Sequence, residues 1–115
     1  MKVYKWDDVE VERMSPMSTR QVILGDQIML TMNRSQAGRK IPGHRHEELM
    51  QYVLKGKIRY KSGEEEKIVQ AGEVIHVPAG AWHAIEILED IIVLDVFSPP
   101  KSDYVKKAED YLRVS

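Results

Sequence analysis

Residues 72–87 read GEVIHVPAGAWHAIEI. Val74, Ile75 and Val77 favour a pleated strand, and Gly72 allows a tight turn into it. Pro78 and Gly80 then build the next turn, from which His83 starts a returning strand. The hairpin therefore delivers one imidazole at its base. Upstream, IPGHRH (residues 41–46) sets His44 and His46 one residue apart. In a strand, residues i and i+2 point to one face, so both rings can meet at a single ion. Burying two imidazoles side by side as ordinary core residues needs two separate sets of partners. A third from another hairpin makes a shared divalent ion the simpler solution.

The rest of the chain surrounds these segments with short strands. Val22–Leu24 and Ile28–Met32 read as strands about the Gly25-Asp26 turn, and QYVLKG and KIRYKSG follow, with glycines as punctuation. EKIVQAGEVIHVPAGAWHAIEIL continues as strand, turn, strand, turn, strand, and Glu89-Asp90 is expected to turn the chain into IIVLDVF. Pro99 and Pro100 stop that last strand. Only SDYVKKAEDYLRV looks helical, with Ser102 or Asp103 as N-cap and Tyr104, Val105, Ala108, Tyr111 and Leu112 at helical spacing. The expected fold is an all-β double-sheet barrel or sandwich in one domain, 1–115, with its core over 22–97 and a helix over 102–113.

Composition excludes several classes of function. The net charge is −1 with 30% charged residues, so the basic surplus of a nucleic-acid binder is missing. No apolar run approaches membrane-spanning length. The N-terminus MKVYKWDDVEVERM lacks a signal-type apolar region, which makes the cytoplasm the expected location. With no cysteine, thiol catalysis and thiolate metal sites drop out, leaving His, carboxylates, amides and water as ligands.

Gly38, five residues, then His44-x-His46, together with GEVIHVPAGAWH, is similar to the two motifs of the cupins. The resemblance covers roughly residues 28–97, although the Asn usual four residues after the last histidine is Ile87 here. It implies a small jelly-roll-like barrel holding one divalent transition metal (zinc, nickel, iron or manganese) at His44, His46 and His83. The fourth ligand is ambiguous. Counting forward from His46 to the family's Glu or Gln gives Gln51, whereas counting back from Gly56 gives Leu49, which cannot ligate. The conflict of two residues preserves strand parity, so Leu49, Gln51 and Val53 share a face and Glu48 and Tyr52 take the other. Parity favours Gln51, with Glu48 and water as alternatives. Three imidazoles and an amide leave the ion's full positive charge for a bound oxygen, and donor softness does not choose among the candidate metals.

On IIVLDVF, Ile91, Val93, Asp95 and Phe97 share one face. An aspartate among such neighbours is costly to bury unless paired or functional. It is either paired at an edge or a general acid/base in the cavity. Asp95-x-Phe97-x-Pro99-Pro100-Lys101 resembles the C-terminal signature of the pectin-degradation cupins, which open the ring of 4,5-unsaturated uronates. That resemblance implies Asp95 as acid/base, Phe97 as pocket wall and Lys101 on the substrate carboxylate. The family usually has Arg at the last position, and Lys offers a point charge in place of a fork.

The resulting expectation is a metal-dependent, non-redox enzyme acting on a small sugar acid. The alternatives are an iron or manganese dioxygenase and a non-catalytic ligand-binding or sensing cupin. Tyr60, if it rather than Arg59 faces inward, is a candidate substrate donor. His76 is expected on the sheet surface, Trp82 in turn packing, and Met29, Met32 and Met50 as barrel filler. A homodimer is expected from the family's habit, with Trp6 and the N-terminal segment as candidates for crossing to the second subunit.

Overall fold

The computed structural model describes residues 1–100, so Lys101 and the helix expected over 102–113 lie outside the described residues. After a short 3-10 turn at Trp6–Asp8, the strands are β1 (Glu12–Ser15), β2 (Ser18–Leu24), β3 (Met29–Ser35), β4 (Lys40–His44), β5 (Leu49–Ser62), β6 (Glu65–Gln70), β7 (Val74–Val77) and β8 (His83–Phe97). All pair antiparallel.

The two long strands organise everything else. β5 and β8 pair along nearly their whole length, from Leu49↔Phe97 to Lys61↔Ala84. At one end their outer edges carry β3 and β7, and β2 and β1 extend the sheet beyond β3. At the other end β4 pairs with the start of β8 and β6 with the second half of β5. The β5–β8 ribbon thus belongs to both sheets of a double-sheet barrel.

A ribbon shared by two sheets must bend, and the bend lies in β5. Its buried residues are Leu49, Gln51 and Val53 before the bend and Ile58 and Tyr60 after it, so parity changes from odd to even. Register shifts between Val53 and Ile58 absorb the change, as expected of β-bulges. Gly56 sits there at φ 89°, against the backbone carbonyl of Asp90.

The expected turn at Glu89-Asp90 is therefore not formed: β8 runs through it to Phe97. Two acidic residues have low strand propensity, but both face outward at the bend. Glu89 is 3.7 Å from the Lys57 ammonium, and the Asp90 carboxylate accepts the Ala37 N–H at 2.8 Å. Likewise the glycine punctuation between QYVLKG and KIRYKSG is a bulge within one strand. Residues 6–9 are tied to their own barrel, because the Gln21 side-chain amide donates to the carbonyls of Trp6 and Val9.

Burial on β8 alternates as its sequence alternates, with Ile91, Val93, Asp95 and Phe97 all inward. Leu49, Val53, Ile58, Ile87 and Met29 meet them to form the core. Each such side chain contributes about 1.5–3 kcal/mol on full burial. Met29 is buried in the barrel core as filler, whereas Met32, though buried, sits on the opposite parity of β3 outside that core, and Met50 is exposed on the outer face.

Candidate metal centre

His44 closes β4 and stands opposite His83, the first residue of β8. His46 lies beyond the strand end, so its ring does not arrive by strand alternation as expected. A loop brings it round, pinned where the Gly80 N–H donates to the His46 carbonyl at 3.0 Å. Gly43 makes room for this path, since a Cβ there would run into the Trp82 indole. Trp82 is thus turn packing, half exposed, with the Arg45 guanidinium 5.4 Å from its ring centre.

The three rings converge. Their centroids are 4.3 Å apart for His44–His83, 4.7 Å for His46–His83 and 5.3 Å for His44–His46. One ring nitrogen from each lies within 4.8 Å of the others. The opposite nitrogens face backbone: Nδ1 of His44 lies 2.9 Å from the Pro42 carbonyl, that of His46 2.7 Å from Glu47 and that of His83 3.1 Å from Ala81. A carbonyl only accepts, so each ring carries its proton on Nδ1 and presents an Nε2 lone pair. Nε2 of His46 and of His83 stand 3.1 Å apart. Two acceptors at that distance are reconciled only by a cation or proton between them. Fixing the outer nitrogen and turning the inner one toward a common point is how proteins prepare imidazoles for a metal.

Gln51 adds a second signal. It is buried on the inner face of β5 and donates from Nε2 to Asp95 Oδ1 at 2.7 Å. A carboxylate cannot donate, so this bond fixes which end of the amide faces Asp95. The other end, Oε1, is buried without a hydrogen-bond partner, an arrangement that normally costs about 1–3 kcal/mol. An orphaned carbonyl oxygen in the cavity that holds three imidazoles fits a hard or borderline divalent ion. Glu48 is exposed, and its carboxylate lies 2.6 Å from His76 Nε2. Both point away from the cavity, so His76 is the surface histidine expected.

Asp95 is buried in the cavity wall. Asn33 donates to its Oδ2 at 2.9 Å and Gln51 to its Oδ1. Asn33 also donates to Thr31 Oγ1 at 2.9 Å, which holds the amide in place. Phe97 lines the same cavity, edge-on to His46 with centroids 5.6 Å apart. Tyr60 faces inward as its alternation with Arg59 allowed, because Arg59 is held outside by Glu66 and Glu86. It is not among the cavity-lining side chains; its ring stands 6.2 Å from that of His83. Burial, and secondarily the charge of Asp95, push the Tyr60 phenol well above its usual value. Its hydroxyl has no hydrogen-bond partner.

The cavity measures about 460 Å³, within the range of small-molecule sites. Asn33 and Arg20 also line it, and no sequence motif pointed to them. The strand read as ending at Met32 runs on to Ser35, and the register that sets Asn33 opposite both Val93 and Arg20 left no mark in the local sequence.

A histidine triad that could hold a metal ion lies in the cavity of this double-sheet barrel, and the chain belongs to the cupin family: residues 32–97 match the family described as Cupin domain. An uncharacterised protein of Streptomyces coelicolor is 32% identical over 105 residues, spanning 89% of this chain and all of the relative. The structure of KdgF from a Halomonas species superposes with a TM-score of 0.81 at 22% identity, covering 90% of this chain and 99% of that one. The polyketide cyclase RemF of Streptomyces resistomycificus gives 0.74 at 24% identity, over 88% of this chain and 81% of its own. The chain is a small cupin resembling KdgF in fold. Among the described residues, no helix is long and apolar enough to cross a membrane.

Proposed function

We propose that the protein is a metal-dependent, non-redox enzyme that opens the ring of a 4,5-unsaturated uronate, or a close relative, to a keto sugar. The observation that carries this reading is Asp95: a buried carboxylate with an amide donor on each oxygen, in one cavity with the histidine triad. The Asp95–Phe97–Pro99–Pro100 signature and the likeness to KdgF support the same class. A divalent ion held by His44, His46, His83 and Gln51 would stabilise negative charge on a substrate oxygen.

The chain's own residues do the rest. The two amides hold Asp95 as an acceptor, suited to taking the proton of the anomeric hydroxyl. As that proton leaves, the C1–O5 bond breaks, C1 becomes a carbonyl and the ring oxygen becomes an enolate at C5. Asp95 returns the proton at C4, which gives the 5-keto sugar. Atoms and electrons balance without water or an oxidant. Phe97 walls the reacting ring and excludes water.

The test follows the alkene absorbance of an unsaturated monouronate. Metal-loaded protein is expected to abolish it, and Asp95→Asn to slow its loss by about 10²–10⁴-fold. Asparagine keeps an acceptor oxygen for Gln51 Nε2, so the variant is expected to retain its metal. Persistent absorbance with the metal-loaded wild type, oxygen consumption, or tight binding of the acid without turnover would each overturn the proposal.

A further inference from the structure

Asp95 is flanked by two amides whose carbonyl ends are placed differently. Gln51 donates to Oδ1 and keeps its own carbonyl oxygen buried in the cavity of the imidazoles. Asn33 reaches Asp95 from β3, where it stands opposite Val93 on one side and Arg20 on the other. Its Nδ2 carries two protons and both are used, one on Asp95 Oδ2 and one on Thr31 Oγ1, each at 2.9 Å. A carboxylate only accepts, so the Asn33 amide cannot be turned over. Oδ1 is left as an acceptor, and among the described residues it has no hydrogen-bond partner. Unlike Gln51 Oε1 it is open to a ligand, because Asn33 is only half-buried and lines the cavity.

The surroundings decide what this acceptor can take. Thr31 and Asp95 are level with each other, so both Nδ2 bonds run to one side of Asn33 and Oδ1 lies on the other. The cation next to it in register, Arg20, is committed to Glu12, with Nε and Nη2 each 2.7 Å from Oε2. A neutral amide oxygen offers lone pairs and no proton, so it reads a donor, and a polyhydroxy ligand supplies one as a hydroxyl. In the ring-opening reaction Asp95 takes the proton of the anomeric hydroxyl at C1. One hydrogen bond and one amide group separate the Asp95 carboxylate from Asn33 Oδ1. A ligand whose C1 hydroxyl meets Asp95 therefore brings the hydroxyl of the adjacent carbon, C2, to Asn33. Ile91 and Val93 make the wall beside it apolar, which strengthens a hydrogen bond formed there.

We propose that Asn33 determines specificity: its Oδ1 accepts a hydrogen bond from the substrate hydroxyl next to the reacting carbon, so the site prefers 2-hydroxy sugar acids to their 2-deoxy counterparts. This rests on the reading of the cavity as a sugar-acid site with Asp95 at C1. The one amide then has two roles. Nδ2 fixes the acid/base and Oδ1 fixes the ring against it, which sets the C1 hydroxyl in line with the carboxylate.

The test changes protein and ligand in turn and reads calorimetric binding of D-galacturonate and 2-deoxy-D-galacturonate to the metal-loaded protein. Neither acid carries the alkene, so neither is turned over by the proposed reaction. Wild type is expected to bind the 2-hydroxy acid about 3- to 10-fold more tightly, the worth of one neutral hydrogen bond. Asn33→Leu removes donor and acceptor together and is expected to bind the two acids equally. Its lost contact with Asp95 affects both acids alike and cancels from the ratio. Asn33→Ala repeats the comparison without new bulk. Thr31→Val takes away only the other partner of Nδ2 and is expected to keep the wild-type ratio. No binding or no preference in wild type overturns the proposal, as does a preference that survives in both Asn33 variants or vanishes in Thr31→Val. Failure of ring opening alone would leave the binding ratio and its loss in place, so the two proposals fail separately.

Discussion

Gln51 and Glu48 show what parity can decide. The forward and backward spacings disagreed by two residues, and alternation alone put Gln51 with Leu49 and Val53 on one face. The structure buries all three, leaves Gln51 Oε1 without a partner and turns Glu48 out to His76. Gln51→Ala is therefore expected to weaken metal binding by about 10- to 100-fold, a loss on the scale seen for groups that tune metal sites. Glu48→Ala is expected to leave it unchanged. Competition with a chromophoric chelator reads both, and equal losses would return the fourth position to water or Glu48. Asp95's partners were not legible, since Asn33 is 62 residues away and meets it only through the β3–β8 register. Arg20 escaped for the same reason.

Tyr60 carries a residue-scale prediction of its own. Its phenol is held well above the usual value of 10.0 by burial first and by Asp95 second. Below pH 10 the folded and unfolded chains of the metal-free protein both keep that proton. Above it the unfolded chain releases the proton first, so stability falls as pH climbs toward the folded value. Tyr60→Phe removes this slope. At neutral pH it should cost little or even stabilise, because it deletes a buried hydroxyl that has no partner. Urea midpoints of the two proteins are expected to diverge in favour of the phenylalanine variant above pH 10. Parallel curves would show that the phenol titrates normally.

At the scale of elements, the β5–β8 ribbon separates what local sequence encodes from what the fold imposes. Strand propensity and turn residues located β2, β3, β6, β7 and the end of β8. They failed at residues 54–57 and 89–90, where glycine and acidic residues resemble turns. A bulge and a turn use the same residues, and only the long-range pairing of two bent strands distinguishes them. Gly56→Ala tests this directly. At φ 89° an alanine is strained, and its Cβ would meet the Asp90 carbonyl. A cost of about 1–3 kcal/mol is expected from the backbone alone, with more from the overlap. Gly63→Ala, at φ 62° with open space around it, is the control and should show only the backbone part. A lower urea midpoint for Gly56→Ala than for Gly63→Ala, at unchanged m-value, is the expected outcome. Equal midpoints would mean that the ribbon relaxes around position 56.

At the scale of the whole molecule, the candidate centre joins elements that hydrogen bonds alone hold less directly. His44 ends β4, His46 lies in the loop after it and His83 starts β8, while Gln51 belongs to β5 at the edge shared with β7. With Gln51 as its fourth ligand, an ion at this point would crosslink the start of one long strand to the start of the other, across the sheet boundary. The unfolded chain has no such cluster, so binding free energy becomes folding free energy. With free metal at a hundred times the dissociation constant, the gain is about 2.7 kcal/mol. For a chain of this size that corresponds to a rise of roughly 10 °C in melting temperature. Stripping the metal with a chelator should reverse the rise, and restoring it should recover it. His83→Ala should abolish the response to metal. Gln51→Ala should move the response to higher metal concentration without removing it, because three imidazoles remain. A melting temperature indifferent to metal in the wild type would mean that the three rings are a proton-sharing cluster and not a binding site.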